Sequence, residues 1–401
     1  RFPQGMGFSG DAESFFCQQP CLPGAEASWA WGEGPTGRGW WHLPSVWPIA
    51  CRIASGFVGK TVSRRLRRAG VSLKIKDIAD DAQVSIATVS RVLNGSPTVH
   101  EELRARVLAS VEKLGYQPNM VARSLRIRKT MVLGVIIPTI VNPFFTDIVR
   151  GVEDVASRAG YVVTVHSSDN DLAKERRYLN VLRNRKVDGV LIAVAHQQES
   201  NLGPLVESGV PVVLVDRCLD GAPLDSVTVD TRQGAYLAVE LLIQRGYKRI
   251  GFLGGPPSVS TANDKLAGYR AALQDYGLPA DEGLILSGDY TEASGRELGR
   301  RLINLPGRPD AVLVANNLMT LGFFTVVREY GLRVPHEIAF IGFDDRQWAW
   351  LVTPPITMIE QPTYELGHIA TQMLLERVTG EYAGEERHQI LRTKLLIRGS
   401  C

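Results

Sequence analysis

From Met131 onward the chain repeats one pattern: a short apolar run, then a longer segment with apolar residues at helical spacing, then another apolar run. Met131–Ile137 reads as a buried strand and Phe144–Ala159 as a helix. Tyr161–His166, Val190–Val194 and Val212–Val215 are further strands, with helices near Leu172–Arg185 and Asn201–Ser208 between them. A second round begins with helix Gln233–Arg245, strand Ile250–Leu253 and helix Ala262–Tyr276. It continues through helix Glu292–Leu302, strand Ala311–Val314, helix Met319–Tyr330, strand Ile338–Ile341 and helix Tyr364–Val378. Strands separated by helices cannot pair as hairpins, so this rhythm predicts a parallel α/β body with helices on both faces of each sheet. A chain of 401 residues is also too long for one core, so two or three domains are expected.

The stretch before the body follows a different rule. Ile75, Ile78, Ala79 and Ala82 share one face of a short helix, Gln83-Val84-Ser85 makes a turn, and Ser85 is placed to cap a second helix over Ile86 to Leu93. That helix buries Val89, Val92 and Leu93 and leaves Ile86, Ala87, Thr88, Ser90 and Arg91 outward. Leu103, Val107, Val111 and Leu114 recur on a third helix that closes the small core. Two short helices joined by a tight turn, the second presenting small groups and an Arg, suit the major groove of DNA.

Ile78-Ala79, Val84-Ser85, Thr88-Val89-Ser90-Arg91-Val92-Leu93-Asn94, Leu114-Gly115-Tyr116, Pro118-Asn119 and Val121-Ala122-Arg123-Ser124-Leu125 together resemble the DNA-binding headpiece and hinge of the lactose-repressor (LacI/GalR) family. The resemblance extends over about residues 72–400. It implies an N-terminal all-α helix-turn-helix headpiece (72–117), a hinge helix and linker (118–130), and a two-lobed effector-binding and dimerisation body (131–400) of parallel sheets, like periplasmic sugar-binding proteins. It also implies that the hinge, with Asn119, Ala122, Arg123 and Leu125, orders on the operator, Leu125 wedging between base pairs in the minor groove. Ile86 and Ala87 are expected to discriminate sequence, Arg91 to reach a base or phosphate, and Ser85, Thr88, Ser90 and Asn94 to hold the backbone.

Charge follows the same division. Residues 1–130 hold 18 Lys/Arg against 10 Asp/Glu, a net of +8, and residues 131–401 hold 27 against 32, a net of −5. A basic front and a mildly acidic body fit phosphate contact by one part of the chain. Residues 1–71 carry five of the seven Trp among Gly and Pro with no sustained period, and are expected to be a disordered or artefactual extension. Cys17, Cys21, Cys51, Cys218 and Cys401 have no metal-ligand spacing, and their scatter argues for a reducing compartment. No apolar run approaches the roughly 20 residues that span a bilayer, and no signal peptide is legible. A cytoplasmic protein without membrane partner, metal or cofactor is expected.

In open parallel sheets, ligands bind beyond the carboxyl ends of the strands. Asn142, Phe144 and Phe145 follow the first strand, His196 follows Val190–Ala195, and Asp216 follows Val212–Val215. Lys265, Tyr290, Asn316, Asn317, Asp344 and Gln361 hold equivalent places in the second round. Aromatic faces ringed by Asn, Asp and Gln suit a sugar ring, whose C–H faces stack while its hydroxyls need paired donors and acceptors. The resemblance places these residues in an interdomain cleft, with two departures: Lys265 where the family often has Arg, and Asn317 where many members have Asp. The leading expectation is therefore a dimeric transcriptional repressor that binds double-stranded operator DNA and answers to a sugar or sugar acid. A sugar-binding protein without a DNA role leaves residues 72–125 unexplained. An enzyme is third: Gly254-Gly255 hints at a nucleotide site, but no phosphate-loop Lys or Ser-His-Asp set accompanies it.

Overall fold

A computed structural model describes residues 73–93, 95–116 and 129–401. The expected extension, the hinge with Asn119, Ala122, Arg123 and Leu125, and Asn94 lie outside the described residues. Three helices, Ile75–Ala82, Ile86–Leu93 and Glu101–Leu114, come first. Ile78, Ala79, Ala82, Val89, Val92 and Val107 are buried. The turn between the first two helices depends on Gln83 taking a left-handed φ of 51°, which lets Val84 N–H reach Ala79 O at 3.0 Å. Ser85 Oγ then accepts from Thr88 N–H at 3.1 Å, the expected cap. The third helix clamps this turn through Arg106 to Ala82 O (2.6 Å) and Lys113 to Asp81 (2.7 Å).

The body contains two six-stranded sheets. The first uses β1 (Val132–Ile137), β2 (Val162–Ser167), β3 (Gly189–Ile192), β4 (Val212–Val215), β5 (Asp225–Val229) and β11 (His388–Leu391), in the order β11-β5-β4-β3-β1-β2. The second uses β6 (Ile250–Gly254), β7 (Ile285–Ser287), β8 (Ala311–Val314), β9 (Ala339–Phe343), β10 (Thr357–Glu360) and β12 (Lys394–Leu396), in the order β12-β10-β9-β8-β6-β7. All pairings are parallel except β10 with β12. Each lobe therefore repeats one doubly wound order, with its topological switch between β1 and β3 or between β6 and β8.

The lobes are not two consecutive pieces of chain. Helix Thr363–Thr379, which the alternating rhythm assigns to the second round, buries Leu366, Ala370, Met373 and Leu374 in the core of the first lobe. Helix Thr231–Gln244 buries Ala235, Ala238, Val239 and Leu242 in the second. Periodicity shows that a helix has an apolar stripe, not which sheet covers it. Gly151 and Gly367 decide the matter here: a Cβ at Gly151 would collide with Tyr364 O, and one at Gly367 with Ile148 O, so the two helix backbones touch only because both lack one. β7 and β12 escape the sequence pattern because each has three residues, β5 because Asp225, Ser226 and Thr228 break its apolar run, and β11 because three of its four positions are exposed.

Asp225 ties the returning chain to the first lobe. Arg377 Nη2 lies 2.7 Å from its Oδ1 and Arg387 Nη2 2.9 Å from its Oδ2. Burial alone would raise this carboxyl, but the bonds from Arg377 and Arg387 outweigh it and hold it at about 2. Its stabilising contribution is present above the ordinary Asp value and is lost as pH falls towards 2. Asp225→Ala, which takes the shared carboxylate from Arg377 and Arg387 but leaves Arg387 its pair with Glu376, is expected to lower stability by about 2 kcal/mol in urea denaturation at pH 7. The deficit should shrink as pH approaches 2; a variant as stable as the parent at neutral pH contradicts this account.

Candidate functional site

On the helix Ile86–Leu93 the outward residues are those a groove-reading helix needs. Ile86 is 48 % exposed, Ala87 and Arg91 are exposed, and Thr88 and Ser90 are half-buried. Val89 and Val92 point inward, so the helix offers one face at its N-terminal end and fixes it from behind. An apolar side chain at such a place is of the kind that packs on thymine methyl groups, and Arg91 is long enough for a base edge or phosphate.

The second site is a cleft of about 590 Å³ between the lobes. Its walls come from the segments after β1, β2 and β4 on one side and after β6, β7, β8, β9 and β10 on the other, where the strand rule puts ligands. Phe144 and Phe145 pack edge to face at 5.0 Å. Asn142 Oδ1 caps the helix Pro143–Arg158 by accepting from Phe144 N–H at 3.0 Å. Asn316 does the same for helix Asn317–Glu329 and donates to Tyr290 O at 2.9 Å. Gln361 Nε2 donates to Asp344 Oδ1 at 2.5 Å, and Gln361 Oε1 is buried without a partner. Gly254-Gly255 has a use here other than phosphate binding: a Cβ on Gly255 would fall inside the Tyr290 ring, so the glycine is the shelf on which that ring lies.

Five of the eight described non-glycine residues with left-handed φ line this cleft: Asp169, Asn170, Asp216, Tyr290 and Asp344. Such conformations cost of order 1–3 kcal/mol each for ordinary side chains and persist where surroundings impose them, typically at ligand sites. The charges are equally confined. Arg217, buried, donates to Asn170 at 2.7 Å and Val194 O at 3.0 Å, and its Nε lies 3.7 Å from Asp216. Lys265 Nζ donates to Ala315 O at 2.9 Å and sits 4.4 Å from the Phe343 ring centre. Burial pushes the Asp216 carboxyl up to about 6, against the pull of Arg217 and Lys265 and with a further push from Asp344. Asp216 is thus a buried cleft carboxylate facing Arg217 at 3.7 Å.

Residues 74–119 match the model of the bacterial regulatory proteins of the lacI family, and residues 130–398 that of periplasmic binding proteins and the sugar-binding domain of the LacI family. The chain belongs to the LacI family. It is 38 % identical to catabolite control protein A of Priestia megaterium over 313 residues, 78 % of this chain and 94 % of that protein. It is similar to the lac repressor dimer solved with operator and the anti-inducer ONPF, with a TM-score of 0.74 and 28 % identity over 82 % of this chain and 99 % of that one. It is also similar to the transcriptional regulator CelR in complex with cellobiose, with a TM-score of 0.64 and 32 % identity over 82 % of this chain and all of that one. A helix-turn-helix and a two-lobed effector domain on one chain make this LacI-family member a DNA-binding transcriptional regulator.

Of the expected effector residues, the structure brings Asn142, Phe144, Phe145, Asp216, Lys265, Tyr290, Asn316, Asp344 and Gln361 to the cleft wall. Two are not in it. His196 spends its ring on a turn, Nδ1 accepting from Gln198 and Glu199 N–H at 3.2 Å each. Asn317 lies behind the wall and donates through Nδ2 to Asn142 Oδ1 at 3.0 Å, joining the lobes. Arg217, Asn170 and Thr261 line the cleft without being singled out by the strand-end rule. Arg217 is findable as the neighbour of Asp216, and Thr261 as the residue one turn before Lys265 on the same helix. Asn170 lies beyond where the apolar run of β2 ends and carries no such signal.

The raised Asp216 carboxyl costs the fold stability once ionised. The stability that the neutral carboxyl allows is present below the ordinary Asp value and is lost as pH rises through about 6. Asp216→Asn is therefore expected to gain about 1–2 kcal/mol relative to the parent on going from pH 5 to pH 7.5, read from thermal melts at both values. A stability difference that does not move with pH contradicts the assignment.

Proposed function

We propose that the chain acts as a homodimeric repressor whose DNA affinity is set by a sugar or sugar acid held in the interlobe cleft. The observation that carries this reading is the pairing of ring faces with polar atoms free to bond in one cleft. Phe144, Phe145 and Tyr290 supply aromatic faces, Asp216 and Gln361 Oε1 accept, and Lys265 donates. Water has no apolar face to lay against those rings, whereas a sugar satisfies both kinds of surface at once. CelR with cellobiose supports the ligand class, and the lac repressor dimer on its operator supports the assembly.

In this reading Ile86, Ala87 and Arg91 specify the half-site, while Ser85, Thr88 and Ser90 position the helix on the backbone. The ligand acts through its differential affinity for two arrangements of the lobes. Calorimetric titration with pentoses, hexoses and sugar acids, followed by operator binding with and without each binder, tests the whole proposal. Arg91→Ala is expected to weaken operator binding by about ten- to a hundredfold while leaving sugar affinity unchanged. Asp344→Ala is expected to remove the sugar response while DNA binding survives. A normal response in that variant, or full operator affinity in the first, contradicts the respective assignment.

A further inference from the structure

Helix Leu172–Asn184 and the turn that follows carry six cations: Lys174, Arg176, Arg177, Arg183, Arg185 and Lys186. The helix has one acid, Glu175, and it is buried, accepting Ala195 N–H at 2.6 Å. At the amino end Lys174 pairs with Asp169 and Arg177 lies over the Tyr178 ring, 5.4 Å from its centre, while among the described residues no ion pair involves exposed Arg176. The carboxyl end is barer still. Among the described residues no ion pair involves Arg183, Arg185 or Lys186, and Arg185 and Lys186 are exposed. The nearest acid in sequence, Asp188, is occupied: its two oxygens accept from Thr130 N–H at 2.7 Å and Met131 N–H at 2.9 Å. Helix-dipole stabilisation accounts for one cation in the last turn, not for three within four residues.

The location of this charge matters as much as its size. Thr130 and Met131 are where the chain arrives from the headpiece, and Thr130 Oγ1 donates to Lys186 O at 3.2 Å. The unanswered cations therefore sit at the pole of the first lobe to which the headpiece is tethered. Residues 116 and 129 are thirteen peptide steps apart, so the tether spans at most about 45 Å. The effector cleft opens at the other ends of the same strands.

We propose that Arg183, Arg185 and Lys186 form a second, sequence-independent contact with the phosphate backbone of the duplex that the headpiece holds. This rests on the DNA-binding reading and extends it from the headpiece to the effector-binding body. Guanidinium and ammonium groups with no carboxylate partner gain most from phosphates, because binding releases condensed counterions without breaking an existing ion pair. Such a contact would let the lobe that receives the effector signal also feel the DNA directly.

The test uses the full chain, parent against Arg183→Gln/Arg185→Gln/Lys186→Gln, with fluorescence anisotropy on a selected operator and on a random duplex from 50 to 200 mM salt. The expected result is a log–log salt slope shallower by about 1 for each phosphate no longer neutralised, with operator and random duplex weakened by the same factor and an unchanged melting temperature. Equal slopes and affinities in parent and variant overturn the inference while leaving DNA binding intact. Weakening on the operator alone also overturns it, since phosphate contacts carry no sequence information. A parent that binds no duplex overturns the DNA-binding reading underneath, and the inference with it.

Discussion

The backbone passes between the lobes three times, and those crossings govern what a ligand in the cleft can do. They run from β5 into helix Thr231–Gln244, from β10 into helix Thr363–Thr379, and from β11 into β12. Two of them are bonded to each other, Asp230 N–H donating to Leu391 O at 2.9 Å. A third contributes Gln361 to the cleft wall from the first residue after β10. Three parallel tethers permit closing and twisting of the lobes and resist their separation. A ligand that engages Gln361 therefore acts on the joint itself, not on a loop distant from it. That is the physical content of the allosteric reading: two packed lobes with few ways to move, and one polar group at the axis.

The contacts that join the lobes are polar, and polar contacts can be exchanged for water at little net cost. Asn263 donates to Gln197 Oε1 at 3.1 Å, Gln197 N–H to Ser258 O at 2.8 Å, and Cys218 N–H to Ser260 Oγ at 3.0 Å along one rim. Asn317 with Asn142, and Arg346 with Asp147, do so along another. Each of these groups finds water when the cleft opens, so each contributes about 1 kcal/mol or less to closure. The apolar cores stay within the lobes and oppose neither state. The left-handed residues and the ionised Asp216 inside the cleft are costs carried in the free protein, and a ligand that hydrogen bonds to Asp216 offsets part of them. Binding energy is then available to shift the balance between arrangements.

Much of this is legible in the sequence because two periodicities never mix. The helical spacing of Ile78, Ala79 and Ala82, the capping Ser85 and the outward Arg91 mark the headpiece. Runs such as Val212–Val215 and Ala311–Val314 mark the sheets to the residue. Nine of the eleven expected cleft residues fall on its wall because the end of a buried parallel strand is a place that sequence marks clearly. What local pattern does not carry is information that depends on long-range partners. Nothing in the spacing says that Thr363–Thr379 belongs to the first lobe, because Leu366 and Ala370 would be equally buried against either sheet. His196 follows a strand as Asp216 does, yet the short turn to Ser200 draws its ring away.

Asn317 shows how a departure from the family pattern acquires meaning once its neighbours are known. Its Nδ2 donates across the cleft to Asn142 Oδ1, an oxygen that already accepts from Phe144 N–H. The Asp found there in many family members would place a second acceptor against that oxygen, and the bond between lobes would be broken or rebuilt. It would also set a further carboxylate beside Asp344, whose Oδ2 accepts the Asn317 N–H at 3.4 Å. Asp216 already feels the charge of Asp344, so each added anion in this space raises the cost of the others. With an amide at 317, the cations Arg217 and Lys265 face two buried aspartates rather than three carboxylates. One fewer carboxylate then faces those two cations while the lobes remain linked. If the proposed sugar binds here, Asp216, Gln361 and Lys265 offer directed hydrogen bonds to its hydroxyls, and where those stand on the ring decides which sugar fits.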